Sequence, residues 1–130
     1  MKTVRVFVYG SLLPGQCHHD VVKPYLHSVA PGAVRGRLVD AGPYPALLPD
    51  GSDRIVRGAW LEISREGLTA LDELEDFRGI EELNDYERVW LTDAHRPSLA
   101  GWGYIWPEAR GFPFAEAEEW PDVLRRRKIE

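Results

Sequence analysis

The chain of 130 residues has a single cysteine, Cys17, so no disulfide can form within it, and this fits a reducing compartment. No apolar run comes near the ~20 residues that a bilayer-spanning helix needs. The opening "MKTVRVFVYG" starts with a charge, but Arg5 interrupts its apolar stretch and no small-residue cleavage site follows. These absences predict a cytoplasmic protein with no membrane partner. Positive charge is also in short supply: 16 Lys and Arg stand against 21 Asp and Glu, a formal net charge of −5. A nucleic-acid binder normally carries the opposite balance, so no nucleic-acid partner is expected. No repeat, low-complexity linker or composition break divides the sequence, and a single domain over 1–130 with a real core is expected. The one basic cluster, "RRRK" at 125–128, follows the acidic "EAEEW". It reads as a solvated tail or helix end, with an anion or partner contact as the alternative.

What is present is a series of short strand patterns. "VRVFVY" (4–9) is β-rich and reads as a buried strand. "AVRGRLVDAG" and "RIVRGAWLEI" alternate apolar and polar residues, as half-buried strands do. "YPALLP" is a short extended piece, and "YERVWLTDA" and "LAGWGYIW" add two more strands. "HHDVVKPYLHSV" could hold a short helix limited by Pro24. The clearest helix is "SREGLTALDELEDF", with Ser64 at the N-cap position. Beyond Trp106 the chain reads as irregular or weakly helical. Several gaps are too short for the helical crossovers of parallel strands. The expected class is α+β: a mixed or antiparallel sheet of five to seven strands curling toward a small β-barrel, flanked by helices.

The first strand runs into "YGSLLPG", and Gly10 and Gly15 have the spacing of a phosphate loop. The chemistry of that loop is missing. Gln16 and Cys17 stand where a lysine and a hydroxyl residue are needed, and Pro14 removes one N–H from the cradle. "CHH" (17–19) is a poor metal site, because adjacent side chains diverge and no second cluster with ligand spacing follows. Cys17 reads as a small apolar residue rather than a nucleophile. No metal and no cofactor are expected. The loop still offers backbone N–H groups at Gly10, Ser11, Leu12 and Leu13, which could converge on an anion or a developing oxyanion. A tight turn with glycine at positive φ is the plainer alternative.

On the helix, Leu68, Leu71 and Leu74 define an apolar arc of ~120° centred near Leu71. Glu75 lies ~40° from that centre, whereas Asp72, Asp76 and Glu73 point ~100° or more away. Glu75 is the one acid grouped with the core-facing leucines. Partial desolvation would raise its pKa toward a range useful for proton transfer, which makes it the best general-base candidate. Alternatively it is a boundary residue whose carboxylate reaches water, Arg78 or Arg88.

"VYGSL", "GRLVDAGPYPAL", "LDELEDF" and "YERVWL", in this order, resemble the γ-glutamylcyclotransferase-like family, in its AIG2-like, γ-glutamylamine-type branch. The resemblance covers residues 4–106. It implies a small mixed β-barrel with a cavity at one end, a γ-glutamyl pocket lined by Tyr9, Gly10, Ser11 and Leu12, and Glu75 as the catalytic acid/base. Tyr44 and Tyr86 fall where relatives present cavity-lining groups. The implied substrate is a small γ-glutamyl amine or peptide, converted without metal or cofactor to 5-oxoproline and a free amine. Two departures stand out: His18 occupies a position where asparagine is usual, and Asp76 replaces a common glycine. A non-catalytic module that binds a small metabolite on the same fold is the competing function. A structural role for the five tryptophans is a third, with core and rim packing as its ordinary explanation.

Overall fold

The computed structural model describes residues 3–16, 19–77 and 86–129, without the side chains of 72–77 and 129. Cys17 and His18 lie outside the described residues. Seven strands form one sheet: β1 Thr3–Val8, β2 Leu26–Arg35, β3 Arg37–Asp40, β4 Pro45–Leu48, β5 Ile55–Ser64, β6 Glu87–Thr92 and β7 Ala100–Ile105. Among the described residues two α-helices accompany it, α1 Arg65–Phe77 and α2 Trp120–Ile129. The architecture is the α+β curled mixed sheet that the sequence patterns lead one to expect.

The sheet runs β2-β5-β1-β7-β4-β3, with β6 also paired to β7. β1 and β5 are antiparallel from Thr3↔Ser64 to Val8↔Ala59, while β1 and β7 run parallel. β1 is buried on both faces, which explains its nearly unbroken apolar sequence. Val6 and Val8 belong to one core cluster, together with Leu61, Ile63 and Leu71 of α1. Phe7 and Tyr9 alternate to the other cluster, with Trp60, Leu47 and the α2 residues Trp120 and Val123.

Two local features closed the sheet and were not foreseen. Asp93 follows β6, which pairs only with β7 off the main path, and its carboxylate accepts a hydrogen bond from Ala33 N–H of β2, the edge strand at one end of that path (3.0 Å). Ala94 N–H donates in return to the Ala33 carbonyl (2.8 Å). The two outer strands are thereby clasped into a half-barrel. The second feature is a split edge. β7 pairs with β1 through Trp102 and Gly103, then with β4 through Ile105. β1 leaves β7 where β4 takes over, and the "YGSLLPG" loop emerges at that parting.

Several elements differ from the sequence reading. The expected helix before residue 29 is reduced to two 3-10 turns, His19–Val21 and Lys23–Tyr25, and β2 already begins at Leu26. β2 tolerates Pro31 because it pairs only with β5 and so lies at an edge of the ladder. "AVRGRLVDAG" is two strands that break at Gly36, where φ is +149° and a Cβ would come within 2.7 Å of the Leu48 carbonyl oxygen. The C-terminal stretch, read as irregular or weakly helical, is irregular at first and ends in the helix α2. No helix among the described residues is long and apolar enough to cross a membrane.

Candidate functional site

A cavity opens at the parting of β1 and β4. Tyr9, Gly10, Ser11 and Leu12 line one side, with Phe7 and Val8 behind them, and Pro45, Tyr86 and Tyr104 line the rest. Its empty space, mouth included, is about 360 Å³. Five of the residues singled out from sequence thus come together on one hollow. Tyr44 stands beside it: half-buried next to Pro45, its ring meets Trp106 edge-on at 6.4 Å. The backbone of Glu75 belongs to α1, but its side chain lies outside the described residues.

The loop is built from successive tight turns. Leu13 N–H donates to the Gly10 carbonyl (3.1 Å), and Gln16 N–H to the Leu13 carbonyl (2.9 Å). The Leu13 N–H is therefore consumed by the loop itself and is not offered to a ligand, contrary to the sequence reading. That leaves Gly10, Ser11 and Leu12 as the residues whose backbone faces the question of anion binding. Gly10 is not at positive φ; it is needed because a Cβ would approach Pro45 Cγ to 2.9 Å. The positive φ falls instead at Gly15, +85°, where the loop turns away.

Tyr9 has a second role that its sequence position did not announce. Its buried hydroxyl donates to the Tyr104 carbonyl of β7 (2.7 Å) and accepts from Leu47 N–H of β4 (3.0 Å). It replaces a rung of the ladder where β4 and β7 have barely begun to pair. Tyr86 works similarly on the opposite wall, where its hydroxyl donates to the Pro45 carbonyl. Two tyrosine hydroxyls hold the start of β4 against the cavity. Tyr9→Phe strands two buried backbone groups and is expected to cost about 1–3 kcal/mol. Thermal melts of the two proteins test this; an unchanged Tm would mean that the bridge adds nothing.

The strongest electrostatic feature among the described residues, Asp93, was missed in the sequence. It is 4% exposed. Its Oδ1 accepts from Ala33 N–H (3.0 Å) and from Trp60 Nε1–H (2.9 Å); its Oδ2 accepts from His95 N–H (3.0 Å) and Arg96 N–H (2.9 Å). Burial disfavours its charge, but these four donors more than offset that and hold its pKa at about 2. Asp93 is a clasp of the fold on the wall of a separate cleft that also contains Leu13. The signal that could have found it is the short "TDAHRP" turn, where an aspartate can accept from the next N–H groups.

The basic C-terminal cluster also finds its place. Arg127 donates to the Gly42 carbonyl (2.7 Å) and to Asp40 Oδ1 (2.6 Å), and so ties α2 to the loop that leads into Tyr44 and Pro45. Arg126 donates to the Glu116 carbonyl (2.8 Å), and Arg125 pairs with Glu119 and Asp122. The cluster is thus the exposed end of a helix, one of the readings its sequence allowed, and its arginines make contacts within the chain. Among the described residues no three His, Cys, Asp or Glu side chains gather as metal ligands would.

Comparison with known proteins bears on the family and the fold. The γ-L-glutamyl-butirosin B γ-glutamyl cyclotransferase of Niallia circulans is 33% identical over 104 residues, 78% of this chain and 65% of that protein. The human γ-glutamylaminecyclotransferase is 33% identical over 81 residues, 54% of this chain and 52% of that protein. Both matches thus span less than two thirds of the relative's length. The crystal structure of an AIG2-like protein from Mus musculus superposes with a TM-score of 0.64 at 25% identity, covering 92% of this chain and 89% of that one. The family profile described as γ-glutamyl cyclotransferase, AIG2-like, matches residues 6–122, which include the end of β1, the loop, α1 and the strands that surround the cavity. The chain belongs to the γ-glutamyl cyclotransferase, AIG2-like family.

Proposed function

We propose that the protein is a γ-glutamyl cyclotransferase that acts on a γ-glutamyl amine or peptide. The observation that carries this reading is the cavity at the β1–β4 parting, with Tyr9, Gly10, Ser11, Leu12 and Tyr86 on its walls in a chain of this family. The substrate's own α-amine attacks its γ-carbonyl carbon. A C–N bond forms, the amide C–N bond breaks, and the proton lost by the attacking nitrogen ends on the departing one. The products are 5-oxoproline and a free amine, with no water consumed. Holding the γ-glutamyl chain folded brings nucleophile and carbonyl together, which supplies much of the rate. Glu75 is the group assigned to take the proton and return it. Backbone N–H groups at Gly10, Ser11 and Leu12 are assigned to the substrate's carboxylate or developing oxyanion, with Tyr44 at the mouth. The chemistry requires neither metal nor cofactor.

Incubation with a panel of γ-glutamyl amides and detection of 5-oxoproline tests the proposal. Release from at least one amide is expected. Tight binding of a γ-glutamyl compound without any release would instead identify a metabolite-binding module.

A further inference from the structure

The loop that lines the cavity is propped from behind by His19, the second histidine of "CHH". Five backbone hydrogen bonds, each spanning three residues, carry the chain from the cavity to the start of β2. Leu13 N–H donates to the Gly10 carbonyl, Gln16 to Leu13, His19 to Gln16, Val22 to His19 and Tyr25 to Val22, at 2.9–3.2 Å. Val22 is fully buried in the core cluster that also holds Leu12. The backbone of His19 is therefore tied on one side to the loop and on the other to an anchored residue.

The His19 ring turns back on the loop. Its Nδ1 lies 2.8 Å from the Leu12 carbonyl oxygen. A carbonyl only accepts, so Nδ1 carries the hydrogen and donates it. That carbonyl belongs to the peptide group whose N–H, on Leu13, donates to the Gly10 carbonyl (3.1 Å). The Gly10 carbonyl in turn shares its peptide group with Ser11 N–H. His19 thus heads a line of linked peptide groups that runs through the cavity residues Gly10, Ser11 and Leu12. Hydrogen bonds in such a line polarise and strengthen one another.

We propose that His19 is a positioning residue of the γ-glutamyl site. By holding the Leu12 carbonyl, it keeps the backbone of Gly10, Ser11 and Leu12 in the arrangement that receives the substrate. The inference rests on the cyclotransferase reading. His19 acts through the loop, and its effect is one of population. Backbone N–H groups serve an anion only in those molecules where they already converge, and apparent affinity falls in proportion to the fraction lost. Glycine at both ends of the turn, Gly10 and Gly15, makes other conformations accessible once the prop is gone.

Three variants test this on the γ-glutamyl amides of methylamine, butylamine and benzylamine, with 5-oxoproline release as the readout. His19→Asn places an amide N–H where Nδ1 stood. His19→Leu has the shape of that asparagine without the donor, and His19→Phe keeps a ring without it. Loss of the donor is expected to lower kcat/KM by about three- to tenfold, the worth of one hydrogen bond. The factor should be the same for every amide the wild type turns over, because the loop is assigned to the γ-glutamyl half that all of them share. His19→Asn is expected to restore most of the lost activity. Where the leucine variant folds poorly, phenylalanine against asparagine makes the comparison. A merely structural residue would lower activity in step with the melting temperature, whatever donor replaced it. Donor-free variants as active as the wild type, or an asparagine variant as impaired as the leucine one, overturn the positioning role and leave cyclotransfer standing. So do losses that follow the melting temperature across all three variants, or a loss confined to one amine. No 5-oxoproline from the wild type with any of the three amides overturns the cyclotransferase reading and the positioning role with it.

Discussion

Glu75→Gln is expected to slow 5-oxoproline release by about 10²–10⁴-fold, the usual worth of a positioned general acid/base, while the protein stays folded. Glutamine keeps the shape and length of the side chain but cannot take up the α-ammonium proton at neutral pH. The proposal for this residue has two supports. Leu71 is fully buried in the cluster that also holds Val6 and Val8, so it marks the inward direction of α1. Position 75 follows Leu71 by four residues, and positions i and i+4 share a helix face. Most acids on a surface helix can be replaced with little consequence, so the expected effect separates this carboxylate from Asp72 and Asp76. The checks are 5-oxoproline formation at saturating substrate and a thermal melt of each protein. A variant that turns over as fast as the wild type, with a matching melt, removes Glu75 from the mechanism.

The second large effect concerns stability. Asp93→Asn is expected to destabilise the fold by about 2–4 kcal/mol at neutral pH. The carboxylate presents one oxygen to Ala33 N–H and Trp60 Nε1–H and the other to His95 N–H and Arg96 N–H. Asparagine has only one oxygen. Whichever way it turns, its NH₂ group faces two donors, and both stay unsatisfied in a site hidden from water. The loss also weakens the clasp between β2 and the turn after β6, so the half-barrel should open more readily along that line.

This effect depends on pH in a definite direction. The pKa of Asp93 is about 2 when folded, below its ordinary value of 3.8. A group with a depressed folded pKa adds stability that is fully present above its unfolded pKa. That contribution declines as pH falls from about 4 toward 2. The gap of 3.8 − 2 = 1.8 pH units corresponds to about 2.5 kcal/mol. Denaturant melts of wild type and variant at pH 7, 4 and 2.5 provide the check. Their difference should be greatest at pH 7 and shrink at pH 2.5. A constant difference across that range would show that the Asp93 charge is not what holds the clasp.

The sequence alone settled those features that depend on neighbours a few residues apart. The alternation in "RIVRGAWLEI", the β-rich "VRVFVY" with its apolar run from Val6 to Tyr9, and the helical leucines 68 and 71 each state what is buried, because side-chain direction follows backbone period. The family motifs identified the loop 9–12 and the acid at 75 as candidates, and they foretold a mixed sheet curling to a barrel. The tertiary structure alone decided the rest. No local pattern relates Asp93 to Ala33, 60 residues away, or the Tyr9 hydroxyl to Leu47 and Tyr104, 38 and 95 residues away. Likewise, Arg127 acts on Gly42 across 85 residues. A hydrogen-bonding side chain in a sequence has many possible partners, and only the closing of the sheet brings one of them within 3 Å. The short stretch at 18–29, expected as a helix, and the stretch at 107–129, left between irregular and weakly helical, were hard to read for a related reason. Their intrinsic preferences are weak, so the choice among turn, strand and helix fell to what each packs against.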